Sequence, residues 1–308
     1  MILCCGEALI DMLPRATAEG APAFAPYPGG AVFNSAIALG RLGVKTGFFS
    51  GLSDDLFGVQ LQAALAASNV DTTYAKISNR PTTLAFVSLA GGQASYVFYD
   101  ENTAGRMVTA DDLPDIGVDV ECLLFGGISL IPEPCGSAYE SLMAREHGRR
   151  AIMFDPNIRP AFIPDRQAHE ARMRRMIAMA DIVKISEDDM VWFGETGAHE
   201  EIARRWLELG PRLIVITRGG DGATAFLRGG KMVHVPARPV QVADTVGAGD
   251  TFNAGLLAAF HECGLLSKQG LAELDEDSAR NALSFAIGVA AVTVTRAGAN
   301  PPWRHELG

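Results

Sequence analysis

Asp244-Thr245-Val246-Gly247-Ala248-Gly249-Asp250-Thr251-Phe252-Asn253-Ala254-Gly255 runs directly into the apolar stretch 256–260. Two glycines bracket one alanine just ahead of that helical pattern, so the backbone can turn tightly and aim several N–H groups at one point. The positive end of the helix dipole adds to them, and the string reads as an anion hole. Asp250 stands at its mouth. A fixed negative charge is useful there only if the carboxylate takes a proton from an incoming hydroxyl, which casts Asp250 as a general base. A lone Gly-x-Gly-Asp would read as a turn and a helix cap. The twelve residues quoted are far more specific.

Outward from this string, short apolar runs alternate with helical patterns. Core strands are predicted at 2–5, 46–50, 122–125, 151–154, 182–185 and 213–217, and helices at 32–42, 56–67 and 137–146. Strands buried on both faces and separated by helices predict a doubly wound α/β fold around a mostly parallel sheet. Two hairpins break the alternation. Residues 223–228 and 231–235, joined by Gly229-Gly230, would extend the sheet at its edge; 83–89 and 94–99, joined by Gly91-Gly92, have no covering helix. A further strand-like segment and a small-residue loop lie within 9–24. A lid over the active site and an antiparallel edge of the main sheet satisfy this second pattern equally. No repeat or linker divides the chain, so one domain over 1–308 is expected, with lid segments at roughly 9–28 and 83–106.

Gly29-Gly30-Ala31-Val32-Phe33-Asn34-Ser35-Ala36 forms a second glycine-rich helix start. Paired glycines let a ligand approach the backbone, and Asn34 offers both a donor and an acceptor. The two strings together resemble the signatures of the PfkB carbohydrate kinases, the family that includes ribokinase, fructokinase, 2-keto-3-deoxygluconate kinase and adenosine kinase. The resemblance implies a ribokinase-like fold with a small β-sheet lid, ATP with Mg²⁺ as cofactors, and a sugar hydroxyl as acceptor. It makes Asp250 the base and Gly247, Ala248 and Gly249 the anion hole. Gly29, Gly30 and Asn34 would contact the sugar, as would Asp11, which ends Gly6-Glu7-Ala8-Leu9-Ile10-Asp11.

The resemblance extends over nearly the whole chain. Asp155-Pro156-Asn157-Ile158-Arg159-Pro160 is similar to a segment whose Asn and Arg face substrate and phosphate, and Thr217-Arg218-Gly219-Gly220-Asp221-Gly222 to a turn along the nucleotide phosphates, which implicates Thr217, Gly219 and Gly222. Many members carry Asn-x-x-Glu to organise Mg²⁺, where this chain has Ser186-Glu187-Asp188-Asp189. Ser186 then stands near the nucleotide, with Asp189 or Glu187 on water-borne Mg²⁺. Asp244 and the Val246 carbonyl match a monovalent-cation site of potassium-activated members. The string 99–106, with Asn102 and Arg106, together with the Asp11 and Asn157 segments, is most similar to bacterial fructokinases, implying D-fructose as substrate. Ketodeoxygluconate is the alternative, because Arg106 and Arg159 could face a carboxylate.

Composition excludes other classes. Thirty-six acidic residues against 26 basic ones, with no basic stripe, argue against nucleic acid. Five cysteines, at 4, 5, 122, 135 and 263, lack metal spacing and read as reduced, near-core thiols. The apolar, uncharged stretch 281–295 is shorter than the ~20 residues of a membrane span and reads as a buried helix and strand. No basic and apolar leader heads the sequence, so a soluble cytoplasmic protein is expected. His169, His199 and His305 sit in polar surroundings and read as solvated. The dinucleotide fingerprint is missing from the first β-α turn, which disfavours a nicotinamide oxidoreductase. A sugar- or nucleotide-binding sensor without catalysis is disfavoured by the presence of Asp250. An exposed lid edge would be open to pairing, so a homodimer through the lid is an expectation.

Overall fold

Apolar runs too short for helices and bounded by turn residues become strands, and the longer runs between them cover the sheet. The computed structural model describes residues 1–90 and 93–308; the Gly91-Gly92 turn lies outside the described residues. The first third comprises β1 (Ile2–Cys5), β2 (Leu9–Ala16), β3 (Pro22–Gly29), α1 (Ala31–Arg41), β4 (Thr46–Phe49), β5 (Gly51–Ser53), α2 (Leu56–Ala67), β6 (Val70–Asp71), β7 (Lys76–Ser78), β8 (Leu84–Ala90) and β9 (Gln93–Tyr99). Next come β10 (Cys122–Gly126), α3 (Cys135–Glu146), β11 (Ala151–Asp155), α4 (Arg166–Met179), β12 (Ile182–Ser186), α5 (Glu187–Trp192), α6 (His199–Leu209) and β13 (Leu213–Thr217). The chain closes with β14 (Ala223–Leu227), β15 (Met232–Val235), α7 (Ala248–Glu262), α8 (Lys268–Ala272) and α9 (Glu276–Val294).

Among the described residues, nine strands form one sheet in the order β15-β14-β13-β12-β11-β10-β1-β4-β6. Pairing is parallel from β6 through β13, and the β14–β15 hairpin adds an antiparallel edge. Alternate side chains serve two cores. Ile2, Cys4, Leu124 and Met153 pack with Phe33, Leu256 and Leu283 of α1, α7 and α9. Leu3, Cys5, Phe125 and Phe154 pack with Tyr139, Met173 and Trp206 of α3, α4 and α6. Both faces are therefore dry, which is why the strands read as unbroken apolar runs.

The order of strands reverses between β1 and β10, and a sheet of this kind opens a crevice at the carboxyl ends of the strands around such a switch point. Above it stands a separate four-stranded sheet, β3-β2-β8-β9. The hairpin of 83–99 thus belongs to a small sheet of its own and not to the edge of the main one. β2 joins β3 antiparallel and β8 parallel, so both segments outside the α/β alternation meet there.

Three expectations are corrected. Residues 281–295 form no strand: α9 continues as one helix to Val294, because packing on α7 overrides the β preference of its Val and Thr residues. His169 is buried with its ring edge-on to Trp192, since α4 turns that position inward. Cys263 is exposed at the end of α7, whereas the other four cysteines are buried. Among the described residues no helix is long and apolar enough to cross a membrane.

Candidate active site

At the carboxyl edge lies a cavity of about 400 Å³, lined by the loops that leave β1, β10, β11 and β12 together with the start of α7. Gly247 is its hinge. It caps α7 in the left-handed conformation, φ 76°, and this releases the backbone to turn straight into the helix. Gly249 and Asp250 follow in the first turn, where backbone N–H groups have no intrahelical partner.

Asp250 is buried and lines the cavity. Asn34, on the first turn of α1, donates from Nδ2 to Asp250 Oδ2 at 2.9 Å, and Ser35 Oγ donates to the Asp250 carbonyl at 3.1 Å. The two glycine-rich strings, far apart in sequence, are therefore joined at Asp250. Burial pushes the Asp250 carboxyl up to about 7, against the Asn34 hydrogen bond and the nearby Lys184 and Arg159 charges, which pull it down. A carboxyl that exchanges its proton near neutrality suits a general base.

Asp11 projects from β2 into the same cavity and has no hydrogen-bond partner among the described residues. Burial pushes it up to about 6. Gly29 leaves room for it, since a Cβ there would overlap Asp11 Oδ2. Gly30 holds φ 111°, and a Cβ on it would lie 2.8 Å from the Glu7 carbonyl, so only glycine fits this entry to α1.

Gly30, Asn34, Asn157, Arg159, Ser186, Asp189, Thr217, Val246, Gly247, Ala248 and Gly249 also line the cavity. Others named from sequence do not. Asn102 is exposed at φ 56°, and Arg106 lines an adjoining cavity of about 360 Å³, where it pairs with Asp100 at 3.0 Å. Gly222 makes room for the chain leaving β15, and Gly219 faces open space. Glu187 lies outside the cavity and faces His199 at 3.5 Å. Asp189 accepts from Ser186 N and Oγ through one oxygen and from Ile158 N through the other. Asp244 ties its own loop to the turn after α9, accepting from Val246 N and Gly298 N.

Two site residues went unread in the sequence. Glu7 is buried and accepts from Ala31 N at 2.8 Å and Ser129 N at 3.3 Å, so one carboxylate fastens the start of α1 to the turn after β10. Lys184, buried within β12, donates to Asp155 Oδ2 at 3.0 Å. Burial weakens its hold on a proton, but Asp155, Asp189 and Asp250 outweigh that and raise it above the ordinary lysine value. The only signal for either was a charge inside an otherwise apolar strand or at its end, in the strings Ile2-Leu3-Cys4-Cys5-Gly6-Glu7 and Ile182-Val183-Lys184-Ile185.

A buried carboxyl raised towards neutrality beside an array of helix-terminal amides, under a small separate β-sheet, is equipment suited to a kinase that phosphorylates an alcohol, and the fold around it is ribokinase-like. The chain belongs to the pfkB family of carbohydrate kinases, whose family model matches residues 1–306. It is 57% identical over 281 residues to a fructokinase of Rhizobium leguminosarum bv. trifolii, covering 91% of this chain and 86% of that protein. Among solved structures it is similar to the fructokinase from Xylella fastidiosa with bound ATP, at TM-score 0.89 and 29% identity, over 97% of this chain and 93% of that one. The fructokinase from Vibrio cholerae O395 in a fructose-, ADP- and calcium-bound form matches at TM-score 0.82 and 26% identity, over 97% and 94% of the two chains.

Proposed function

We propose that this protein is an ATP-dependent fructokinase that converts D-fructose to fructose 6-phosphate. The observation behind the chemistry is the buried Asp250 carboxyl, poised near neutrality at the first turn of α7 and fastened to Asn34. The choice of fructose rests on the likeness to the Rhizobium fructokinase. Of the two arginines that could meet a carboxylate-bearing sugar acid, Arg106 is already paired with Asp100, and Arg159 stands at the cavity wall.

In this reading the sugar lies between Asp11, Gly30 and Asn34, with the triphosphate reaching over Gly247 to Gly249 from the side of Ser186 and Thr217. Asp250 accepts the hydroxyl proton, and the oxygen attacks the γ-phosphorus in line with the departing ADP. Asn34 holds the carboxylate in place, and the helix-terminal amides receive the developing negative charge. Among the described residues no cluster of side chains forms a ready metal cage. Mg²⁺ would come on the nucleotide with its water, which Asp189 at the cavity wall suits better than Glu187 outside it. Bound there, the ion neutralises the triphosphate. Asp244 and the Val246 carbonyl would hold a monovalent cation such as K⁺ behind the anion hole.

The β2-β3-β8-β9 sheet acts here as a lid that excludes water when sugar binds, on a single kinase domain. Phe24, Tyr27, Val97 and Tyr99 are exposed on it, which supports a homodimer formed through the lid. A cytoplasmic location goes with the four buried, unpaired cysteines.

An ADP-release assay over hexoses, pentoses, ketodeoxygluconate and nucleosides tests the substrate. Fructose should give the highest kcat/KM, and ATP hydrolysis without sugar should be far slower than transfer. A higher kcat/KM for ketodeoxygluconate would move the protein to the other kinase, and no turnover with any acceptor would make it a sensor. Gly29→Ala refines the map. The new methyl should displace the Asp11 carboxylate and raise the fructose KM about tenfold, leaving the ATP KM near wild type, as expected when a charged hydrogen bond is misaligned. An unchanged fructose KM would mean that Asp11 does not meet the sugar.

A further inference from the structure

Among the described residues, Lys184 is the only lysine or arginine that is buried. Its side chain is 6% exposed, and that of its partner Asp155 is 4% exposed. An ion pair so deep adds little to stability over apolar residues of the same volume, because desolvating both charges offsets most of their attraction. Its position is more telling. A Cβ on Gly249 would lie 3.1 Å from Lys184 Nζ, so the ammonium rests directly beneath the middle of the anion hole, and it lines the cavity. Gly249 admits it there.

An ammonium has three N–H donors. Asp155 takes one of them and is the only acceptor Lys184 has among the described residues. Asp155 is in turn held by Asn253 of α7, which donates from Nδ2 at 2.7 Å, and by the Asn157 N–H at 3.1 Å. Strand β12, the end of β11 and α7 thus fix Nζ in place, with two donors left over at the cavity wall. The need for a cation there is plain, since Asp155, Asp189 and Asp250 already crowd the region that a triphosphate must enter.

We propose that Lys184 is a further catalytic residue, which donates hydrogen bonds to non-bridging oxygens of the phosphoryl group as it transfers. The step balances without a proton leaving the lysine. Asp250 takes the hydroxyl proton, the sugar oxygen forms its bond to phosphorus, and the bond from phosphorus to the bridging oxygen breaks with its electron pair going to ADP. The ammonium stays charged throughout, as a preorganised donor should.

This rests on the kinase reading, so the test uses the active full chain with MgATP and the best acceptor. Lys184→Met alone would strand the Asp155 charge and could unfold the chain. The comparison is therefore between Asp155→Asn, which keeps the ammonium, and the double variant Lys184→Met with Asp155→Asn, which leaves no charge unpaired. The double variant should melt at or above Asp155→Asn, whose ammonium has lost its acceptor, yet turn over more slowly by about 10²–10³, the loss found on removing one donor from an oxyanion site, with little change in sugar KM. Equal kcat in the two would overturn the proposal and leave Lys184 a structural partner of Asp155. If the unaltered protein phosphorylates no acceptor, the kinase reading fails instead, and the two failures are told apart.

Discussion

Asp250→Asn should lower kcat by roughly 10²–10⁴, as loss of a general base does, while ATP still binds. The same variant should be the more stable protein. Burial raises the Asp250 carboxyl from its ordinary 3.8 to about 7. Between those values the folded chain keeps a proton that the unfolded chain has released, so stability falls as pH rises from about 4 to about 7. Asparagine removes this cost. The variant should therefore melt above wild type at pH 8, and the gap should close as pH approaches 4. In wild type, kcat/KM should drop as the base is protonated below about pH 7. Near-wild-type turnover in Asp250→Asn would dismiss the residue as base, and a lower melting temperature at pH 8 would show that its charge is better compensated than its burial implies.

Asp11→Ala should raise the KM for fructose by about 10- to 100-fold, the equivalent of losing a charge-assisted hydrogen bond of roughly 1.5–3 kcal/mol, with little effect on ATP. The carboxylate lines the cavity without a hydrogen-bond partner among the described residues, so its acceptor capacity is open to a ligand. A pH series adds a signature. With its carboxyl pushed up to about 6, Asp11 is a charged acceptor above that pH and loses that charge below it. The fructose KM of wild type should climb as pH falls through 6, and that of Asp11→Ala should not. If the ATP KM rose in place of the fructose KM, sugar and nucleotide would have to exchange places in the cavity.

Local chemistry made much of this legible in the sequence alone. A left-handed glycine, an amide cluster and an acid within one helical turn are a property of consecutive residues, so the site of Gly247 to Asp250 could be read from 244–255 without any partner. Strands buried on both faces announce themselves as apolar runs, and the parallel sheet with its antiparallel β14–β15 edge followed from their spacing. What depends on distant contacts stayed hidden. The pattern left the 83–99 hairpin between lid and edge, because strand pairing is decided by which partner is nearby, and β2 provided it. The same holds for α9, whose β-branched end stays helical against α7, and for His169, which packs on Trp192. Asn34 was expected at the sugar, yet only folding brings it to 2.9 Å from Asp250. Lys184 and Glu7 show the physical reason most clearly: a charged residue next to a strand's apolar run looks like an interruption in one dimension, and becomes meaningful when the tertiary structure buries it and supplies Asp155 or the first N–H of α1 as its partner.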